Sequence, residues 1–395
     1  MKNKYELLSP VGNFAMLNAA INAGADAIYF GLQDFNMRAT AKNFTIKDLL
    51  EMKKICKKAK MYLTLNTIIY QDELENVEKI IKQVKGKVDA VICWDLAVIN
   101  LCKKYKIPFN ISTQASISNA ESAKFYEKLG AKGLVLAREL SLKQIKNISK
   151  KVKANIECFC HGAMCVSESG RCFMSQFLHN KSANRGECTH PCRRAYHIQE
   201  IGCDNELILE NNRVMSAKDL CTLPFIEKMK QAGITSFKIE GRNRNPEYVY
   251  TVTKIYRKAL DKKLSKEEIE ESLEELKRVY NRGFSSGFYI KAPTSDDFTN
   301  SDSGEQTENK AFIGKIVKYW PNISVAAIKL NAEKLKIGDE IYIIGEKTGL
   351  IKHKIETMQI NNNPVNEAIK GEEVGIKLPL CRVNDDIYLI KKKLT

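Results

Sequence analysis

Short apolar runs alternate with amphipathic stretches eight times in the first two thirds of this chain. This alternation constrains the fold more than any other feature of the sequence. The predicted strands are Tyr5–Ser9, Ala27–Gly31, Tyr62–Asn66, Ala90–Cys93, Phe109–Thr113, Gly133–Ala137, Asn155–Cys160 and Ser236–Glu240. Strands that alternate with helices form parallel sheets, and eight is the number that closes a (β/α)8 TIM-type barrel. A doubly wound open sheet is the alternative. We therefore predict an α/β catalytic barrel over residues 1–290.

The pattern changes after residue 290. Residues 291–310 are polar and acidic, which is typical of a linker. From residue 311 to 395 the apolar residues recur with period two in six short runs separated by turn residues. This period predicts a small C-terminal antiparallel β-barrel. Before the linker, Ser265 and Glu268 have the spacing of a capping box, which predicts the start of a helix.

Four cysteines lie close together in the long segment that follows the seventh predicted strand. Cys165, Cys172, Cys188 and Cys192 have the spacing C-x6-C-x15-C-x3-C, within a cysteine-rich region that we take as residues 157–221. Structural zinc sites normally use closer cysteine pairs. A catalytic thiol paired with His161 would leave three cysteines unexplained. A [4Fe–4S] cluster tolerates irregular spacing because each thiolate binds a different iron. Zinc and a catalytic thiol stay open as alternatives.

The other cysteines have a simpler explanation. The chain has twelve, and its N-terminus gives no sign of secretion, so we expect a cytoplasmic protein with reduced thiols and no membrane segment. Cys56 and Cys102 fall in helical patterns and Cys93 in an apolar strand, which predicts small buried hydrophobic residues. Cys158 and Cys160 alternate on a strand and are expected to pack. Cys158, Cys160, Cys203 and Cys221 are substitute ligands.

Several polar residues follow the predicted strands, where a barrel would gather them at its C-terminal mouth. They are Asn66, Asp95, Gln114, Arg138, Glu139, His161, Lys238, Glu240 and Arg242. We interpret Arg138, Lys238 and Arg242 as a clamp for a small anionic metabolite, since guanidinium groups pair with carboxylates through two hydrogen bonds. Gln114 and His161 would orient the substrate. Structural salt bridges to Glu139 and Glu240 are the competing interpretation.

The formal net charge is +16, which favours a polyanionic partner such as nucleic acid. Many of the lysines lie on amphipathic helices, where solvated basic faces are expected anyway. The charge alone therefore does not establish an RNA partner.

The segment from Glu157 to Ser175 resembles the signature of the peptidase U32 family, E-x-F-x2-G-[SA]-x-C-x4-G-x-C-x-x-S. The resemblance extends to ELLSPVG (Glu6–Gly12), GADAIYFG (Gly24–Gly31), STQASISN (Ser112–Asn119), LAREL (Leu136–Leu140), KDLC (Lys218–Cys221) and FKIEGR (Phe237–Arg242). The tail is similar to the small C-terminal barrel of the branch that contains bacterial tRNA hydroxylation proteins. The resemblance thus covers nearly the whole chain.

This resemblance implies two different activities. The family's older label is collagenase-like peptidase, whereas other members are oxygen-independent hydroxylases with a [4Fe–4S] cluster on four cysteines, which match Cys165, Cys172, Cys188 and Cys192 here. The most similar branch converts the tRNA wobble uridine to 5-hydroxyuridine, with prephenate implicated as hydroxyl source, and related branches act on ribosomal RNA or a ubiquinone precursor. Gln114, Arg138, His161, Lys238, Glu240 and Arg242 are then candidate catalytic residues. Proteins that deliver electrons, iron or sulfur are expected partners.

Two other functions stay open. The chain lacks the H-E-x-x-H motif of zinc metalloproteases, but a cysteine peptidase remains an alternative. A non-catalytic RNA-binding or maturation factor is the third hypothesis, because the cluster could be structural.

Overall fold

The computed structural model describes residues 4–39, 41–196, 215–301 and 304–393. The strands of the first part are β1 (Glu6–Pro10), β2 (Ala27–Gly31), β3 (Lys60–Thr64), β4 (Ala90–Cys93), β5 (Phe109–Ile111), β6 (Gly133–Val135), β7 (Asn155–Gly162), β8 (Asp219–Cys221), β9 (Ser236–Ile239) and β10 (Phe284–Ser285). The helices are α1 (Phe14–Asn22), α2 (Leu49–Cys56), α3 (Leu74–Val84), α4 (Leu96–Tyr105), α5 (Ala120–Lys128), α6 (Leu142–Ser149), α7 (Met174–His179), α8 (Ile226–Gln231), α9 (Pro246–Asp261) and α10 (Lys266–Arg278).

Eight parallel strands form a closed barrel, as the sequence predicts. Strands β1 to β7 pair in chain order, and β9 pairs in parallel with both β1 and β7, so that the sheet closes on itself. An open doubly wound sheet would leave two edges unpaired, and this alternative is therefore wrong. The sequence did not predict the short strand β8, which runs antiparallel to the end of β7.

Apolar burial on both faces of the strands explains the barrel. All five residues of β2 are buried, because one face packs inside the barrel and the other packs against helices. On α3, the residues Val77, Ile81 and Val84 recur at helical spacing and are buried. The predicted capping box is present at the start of α10, where the Ser265 side chain accepts a hydrogen bond from the Glu268 backbone.

The cysteine-rich segment leaves the barrel after β7 and returns at β9. It contains α7 and the short strand β8. Cys203, one of the substitute ligands, lies outside the described residues. Cys56, Cys93, Cys102, Cys158 and Cys160 are all buried, as expected for packing residues.

The C-terminal part is built from antiparallel strands. They are β11 (Glu308–Trp320), β12 (Val325–Leu330), β13 (Leu335–Lys336), β14 (Glu340–Gly345), β15 (Gly349–Lys354), β16 (Met358–Ile360), β17 (Asn363–Pro364), β18 (Glu367–Ala368), β19 (Glu373–Lys377) and β20 (Asp386–Lys392). Eight of them form one sheet in the order β15-β14-β20-β11-β12-β19-β16-β17, and β13 pairs with β18. Their apolar side chains, such as Ile316, Ile328 and Ile376, form a core separate from that of the barrel.

The segment predicted as a linker makes ordered contacts with the barrel. Strand β11 begins at Glu308, inside this segment. Upstream, the Thr299 backbone donates to the Ser216 carbonyl at 2.9 Å, and the Thr299 side chain is buried. The chain between the two cores is thus held against the barrel.

Polar contacts join the C-terminal strands to the barrel helices. Arg278 of α10 forms ion pairs with Glu308 and Glu340, each at 2.6 Å. The Asn18 side chain of α1 donates to the Glu346 carbonyl at 2.7 Å. Among the residues that the structure describes, no helix combines the length and apolar character needed to cross a membrane.

Candidate active site

A cavity of about 170 Å³ opens at the carboxyl ends of the barrel strands, where the loops that follow the strands meet. Its basic lining residues are Arg38, Arg138, Arg193, Lys238 and Arg242, and its acidic ones are Glu168 and Glu240. A wall with five basic and two acidic side chains favours anionic ligands.

All four predicted ligand cysteines line this cavity. Cys165 is exposed, and Cys172, Cys188 and Cys192 are half-buried. By contrast, the fully buried Cys158 and Cys160 do not line it. The four cysteines thus lie apart from the buried packing cysteines, and their role as cluster ligands stays a prediction.

Hydrogen bonds fix the loops that carry two of these cysteines. The Cys172 backbone donates to the Asn184 side-chain oxygen at 2.8 Å. The Ser175 hydroxyl donates to the Cys188 sulfur at 3.9 Å and accepts from the Thr189 backbone at 3.1 Å. Burial raises the pKa of the Cys192 thiol, and the nearby Arg193 opposes that effect.

The donor set suits an iron–sulfur cluster, because four thiols from one segment face a single cavity with basic walls. Within the described ranges, no three His, Cys, Asp or Glu side chains are already grouped closely enough to hold a metal ion. The cysteines are therefore gathered at one cavity but not drawn together into a preformed ligand set. If a cluster binds here, Cys165, Cys172, Cys188 and Cys192 are the residues that would hold it.

Glu240 is the centre of a buried ionic group in the cavity wall. Its carboxylate accepts from Arg38 at 2.7 Å and from the Tyr29 hydroxyl at 3.2 Å. Burial alone would raise the pKa of Glu240, but Arg38 and Arg242 together lower it to about 2. Glu240 is therefore a fixed carboxylate at neutral pH and a poor proton donor.

Arg242 is held in place by neutral side chains. Its guanidinium donates to Asn36 at 3.0 Å and to Thr64 at 3.1 Å. Burial and the like charge of Arg38 lower the pKa of Arg242 to about 10, so it stays charged at neutral pH. A side chain at Gly31 would lie 2.7 Å from this guanidinium, which explains why glycine ends β2.

Arg138 has spare hydrogen-bonding capacity. Its guanidinium donates to the Ala163 carbonyl at 3.0 Å and lies 4.5 Å from the centre of the Phe159 ring. Its Nε is buried and makes no hydrogen bond to any residue that the structure describes. Burial lowers the pKa of Arg138, with Glu240 opposing. An anion bound beside Arg138 would satisfy this group.

Lys238 is paired with a carboxylate inside the barrel. Its ammonium lies 2.8 Å from Glu157, and both side chains are almost completely buried. The ammonium also lies 4.5 Å from the centre of the Tyr29 ring. The competing interpretation, a structural salt bridge, thus describes Lys238 with Glu157 rather than with Glu240.

The two residues expected to orient the substrate lie in different places. Gln114 lines the cavity and accepts from the Ser112 hydroxyl. His161 does not line it and packs instead among Tyr248, Tyr256 and Phe284. Burial and Arg244 lower the pKa of His161 to about 3, so it is neutral. The geometry does not support a role for His161 in orienting a substrate.

The sequence analysis missed several residues of this wall. Ser112 directly follows β5, so the rule that singled out Gln114 could also have singled it out. Tyr29 lies in the middle of β2 and Arg38 lies in the loop beyond that strand, so the same rule does not reach them. His190 lies between two of the cysteines in sequence and also lines the cavity, and burial with nearby arginines lowers its pKa to about 4. Its position beside Cys188 and Cys192 was an available signal.

Comparisons with known proteins agree with the family resemblance. The family model described as peptidase family U32 matches residues 12–299. The chain is 39% identical to a collagenase of Porphyromonas gingivalis over 99% of each chain, and 41% identical to an uncharacterized protease of Methanocaldococcus jannaschii over 98% of this chain and 99% of the relative. It is 33% identical to tRNA hydroxylation protein P1 of Bacillus subtilis over 90% of this chain and 87% of the relative.

Proposed function

The chain belongs to peptidase family U32, and from its cavity we propose that it is an enzyme that hydroxylates a base in RNA. The observation that carries this proposal is the placement of all four cysteines in the wall of one strongly basic cavity at the barrel mouth. The similarity to a protein named for tRNA hydroxylation, along nine tenths of this chain, supports the same activity.

The specific reaction we propose is conversion of the wobble uridine of tRNA to 5-hydroxyuridine. A loop base is accessible to an enzyme only when it is splayed out of its stack, and a cavity at a barrel mouth can receive it. The Gln114 amide lines the cavity, its oxygen accepts from the Ser112 hydroxyl, and it would hydrogen-bond such a base. The +16 charge of the chain supports binding of the RNA backbone.

The cofactor we propose is a [4Fe–4S] cluster on Cys165, Cys172, Cys188 and Cys192. A bound cluster would supply an electron-transfer centre in the cavity wall. The chain's own contribution is to hold the thiols: Asn184 fixes the Cys172 backbone, and Ser175 donates to the Cys188 sulfur.

Replacing the C5 hydrogen of uridine by a hydroxyl group is a two-electron oxidation. We propose prephenate as the source of the hydroxyl oxygen, with the C5 hydrogen leaving as a proton and the two electrons passing to an external electron acceptor. Prephenate carries two carboxylates. Arg138 offers a buried Nε that is unpaired among the described residues, and Arg242 and Lys238 add positive charge to the same wall. These three groups would bind and orient the anion, although Arg242 also interacts with the nearby Glu240 and Lys238 is paired with Glu157.

The test is mass spectrometry of nucleosides from total tRNA of a deletion strain. We expect loss of a uridine derivative one oxygen heavier, restored by the wild-type gene and not by the Cys172→Ala variant. An unchanged nucleoside profile would contradict the proposal. Tight tRNA binding without any change in base mass would favour the non-catalytic RNA-binding factor.

A peptidase is the second candidate, and the 39% identity to a protein named collagenase favours it. His161, which the sequence analysis considers as the partner of a catalytic thiol, does not line the cavity, whereas His190 does. Cleavage of gelatin by the purified protein, abolished by Cys165→Ala and His190→Ala, would support this function over hydroxylation.

A further inference from the structure

Two phenylalanines stand exposed on the rim of the cysteine-lined cavity. Phe173 is 61% exposed and Phe177 is 85% exposed, the highest value of any large apolar side chain in the described ranges. Their ring centres lie 6.2 Å apart. Phe173 sits between Cys172 and Met174, which both line the cavity. The pair therefore forms an aromatic surface, which we call the rim platform, directly beside the cavity.

Packing does not explain this exposure. Helix α7 buries Ser175, but its Phe177 and Leu178 side chains are exposed to solvent. A helix of six residues has little stability of its own and would normally be stabilised by burying such apolar side chains. Val166 on the same segment is also exposed. Exposed apolar groups that cluster beside a pocket are typical of binding surfaces.

The charge around the platform favours a negatively charged occupant. Residues 163–196 contain five basic side chains, of which Arg185 pairs with Glu73 and Arg193 donates to the Ala217 carbonyl. Arg194 and Lys181 are exposed, and the Arg171 side chain is 55% exposed beside Glu168. Aromatic rings next to basic side chains match single-stranded nucleic acid, whose bases stack while its phosphates pair with Arg and Lys.

We propose that the rim platform stacks the bases that flank the modified nucleotide in a single-stranded RNA loop. This inference rests on the proposed function and names how the same site holds its substrate. A base splayed into the cavity leaves its neighbours unstacked, and the rings of Phe173 and Phe177 replace the lost base stacking. Arg171 and Arg194 then contact the phosphates on either side.

The test uses the full-length protein and a fluorescent single-stranded RNA heptamer with a central uridine, and it measures affinity by fluorescence anisotropy. Base stacking on an aromatic ring is worth enough that Phe177→Ala should weaken binding roughly 5- to 100-fold. Phe177→Tyr should retain the affinity because it keeps the ring. Phe177→Leu should not, because it keeps only the apolar surface.

A matched control is Phe125→Ala on α5, which removes a phenylalanine that is 58% exposed elsewhere on the barrel. It should bind the heptamer as the wild type does. Equal affinity of the Phe177→Ala variant and the wild type would overturn the platform, and so would equal binding by the Leu and Tyr variants. If Phe177→Ala lost gelatin binding but kept its RNA affinity, the RNA-stacking role of the platform would be overturned, and the platform would instead bind a peptide.

The platform and the hydroxylase proposal can fail separately. If the deletion strain loses the hydroxylated nucleoside while Phe177→Ala binds the heptamer normally, only the platform fails. If Phe177→Ala loses RNA affinity while the nucleoside profile of the deletion strain is unchanged, the platform stands as an RNA-binding surface and the hydroxylation proposal fails.

Discussion

At the scale of single residues, the four cavity cysteines differ from the others in exposure and surroundings. Cys188 is half-buried in the cavity wall, whereas Cys56 is buried in α2. Under anaerobic purification we expect about four irons per chain, the content of a [4Fe–4S] cluster. The Cys188→Ala variant should lose most of this iron and Cys56→Ala should keep it. One equivalent of zinc without sulfide would contradict the cluster.

Arg138 provides a test of the anion site. Removing a charged hydrogen-bond donor from a buried ligand typically costs about 1.5–3 kcal/mol. We therefore expect Arg138→Ala to weaken prephenate binding roughly 10- to 100-fold in calorimetric titrations. Arg171→Ala, which removes a half-exposed arginine already paired with Glu168, is the matched control and should leave the affinity unchanged.

Glu240 links the ionic group to acid stability. Its pKa falls from 4.5 to about 2 on folding, so its stabilising effect is present above pH 4.5 and is lost as the pH falls toward 2. Between pH 6 and pH 3.5 we expect the wild type to lose ~1.4 kcal/mol more stability than Glu240→Gln. Urea denaturation at both pH values measures this difference. Parallel losses in the two proteins would mean that Glu240 does not have a lowered pKa.

At the scale of elements, the barrel strands place opposite charges inside the protein. Lys238 on β9 and Glu157 on β7 form an ion pair that only the closure of the barrel brings together. Removal of one partner leaves a buried charge without compensation, which typically costs 3–5 kcal/mol.

We therefore expect Glu157→Gln to lower the free energy of unfolding by about 3–5 kcal/mol in urea denaturation. The double variant Glu157→Gln with Lys238→Met should recover much of this loss, since no unpaired charge remains. If the double variant is as unstable as the single one, the loss comes from packing and not from the unpaired lysine.

At the scale of the whole molecule, the C-terminal strands are fastened to the barrel by Arg278, which pairs with both Glu308 and Glu340. We expect Arg278→Ala to speed limited proteolysis within residues 291–310, because these pairs hold the start of β11 against α10. The readout is the rate at which the two fragments appear on a gel. The control is Lys266→Ala, which removes an exposed lysine of α10 that lies 4.0 Å from Glu270 on the same helix. This variant should be cleaved at the wild-type rate.

The sequence alone determined the barrel, and it singled out four cysteines that the fold brings to one cavity. Its eight apolar runs correspond to the eight parallel strands, because buried strands need nearly continuous apolar residues and the helices between them need one apolar face. The spacing of Cys165, Cys172, Cys188 and Cys192 set them apart from the buried Cys158 and Cys160. Because parallel strands all end at the same mouth, the sequence could predict that Gln114, Arg138, Lys238, Glu240 and Arg242 lie together, and all five line the cavity.

Only the tertiary structure decided which side chain faces which neighbour. His161 also follows an apolar run, yet it belongs to a strand that extends to Gly162, so its ring is turned into a core of tyrosines. Lys238 pairs with Glu157 rather than with a nearer residue in sequence, because barrel closure joins β7 to β9. The partners of Glu240 and the exposure of Phe177 likewise depend on how distant loops meet, which local patterns do not encode.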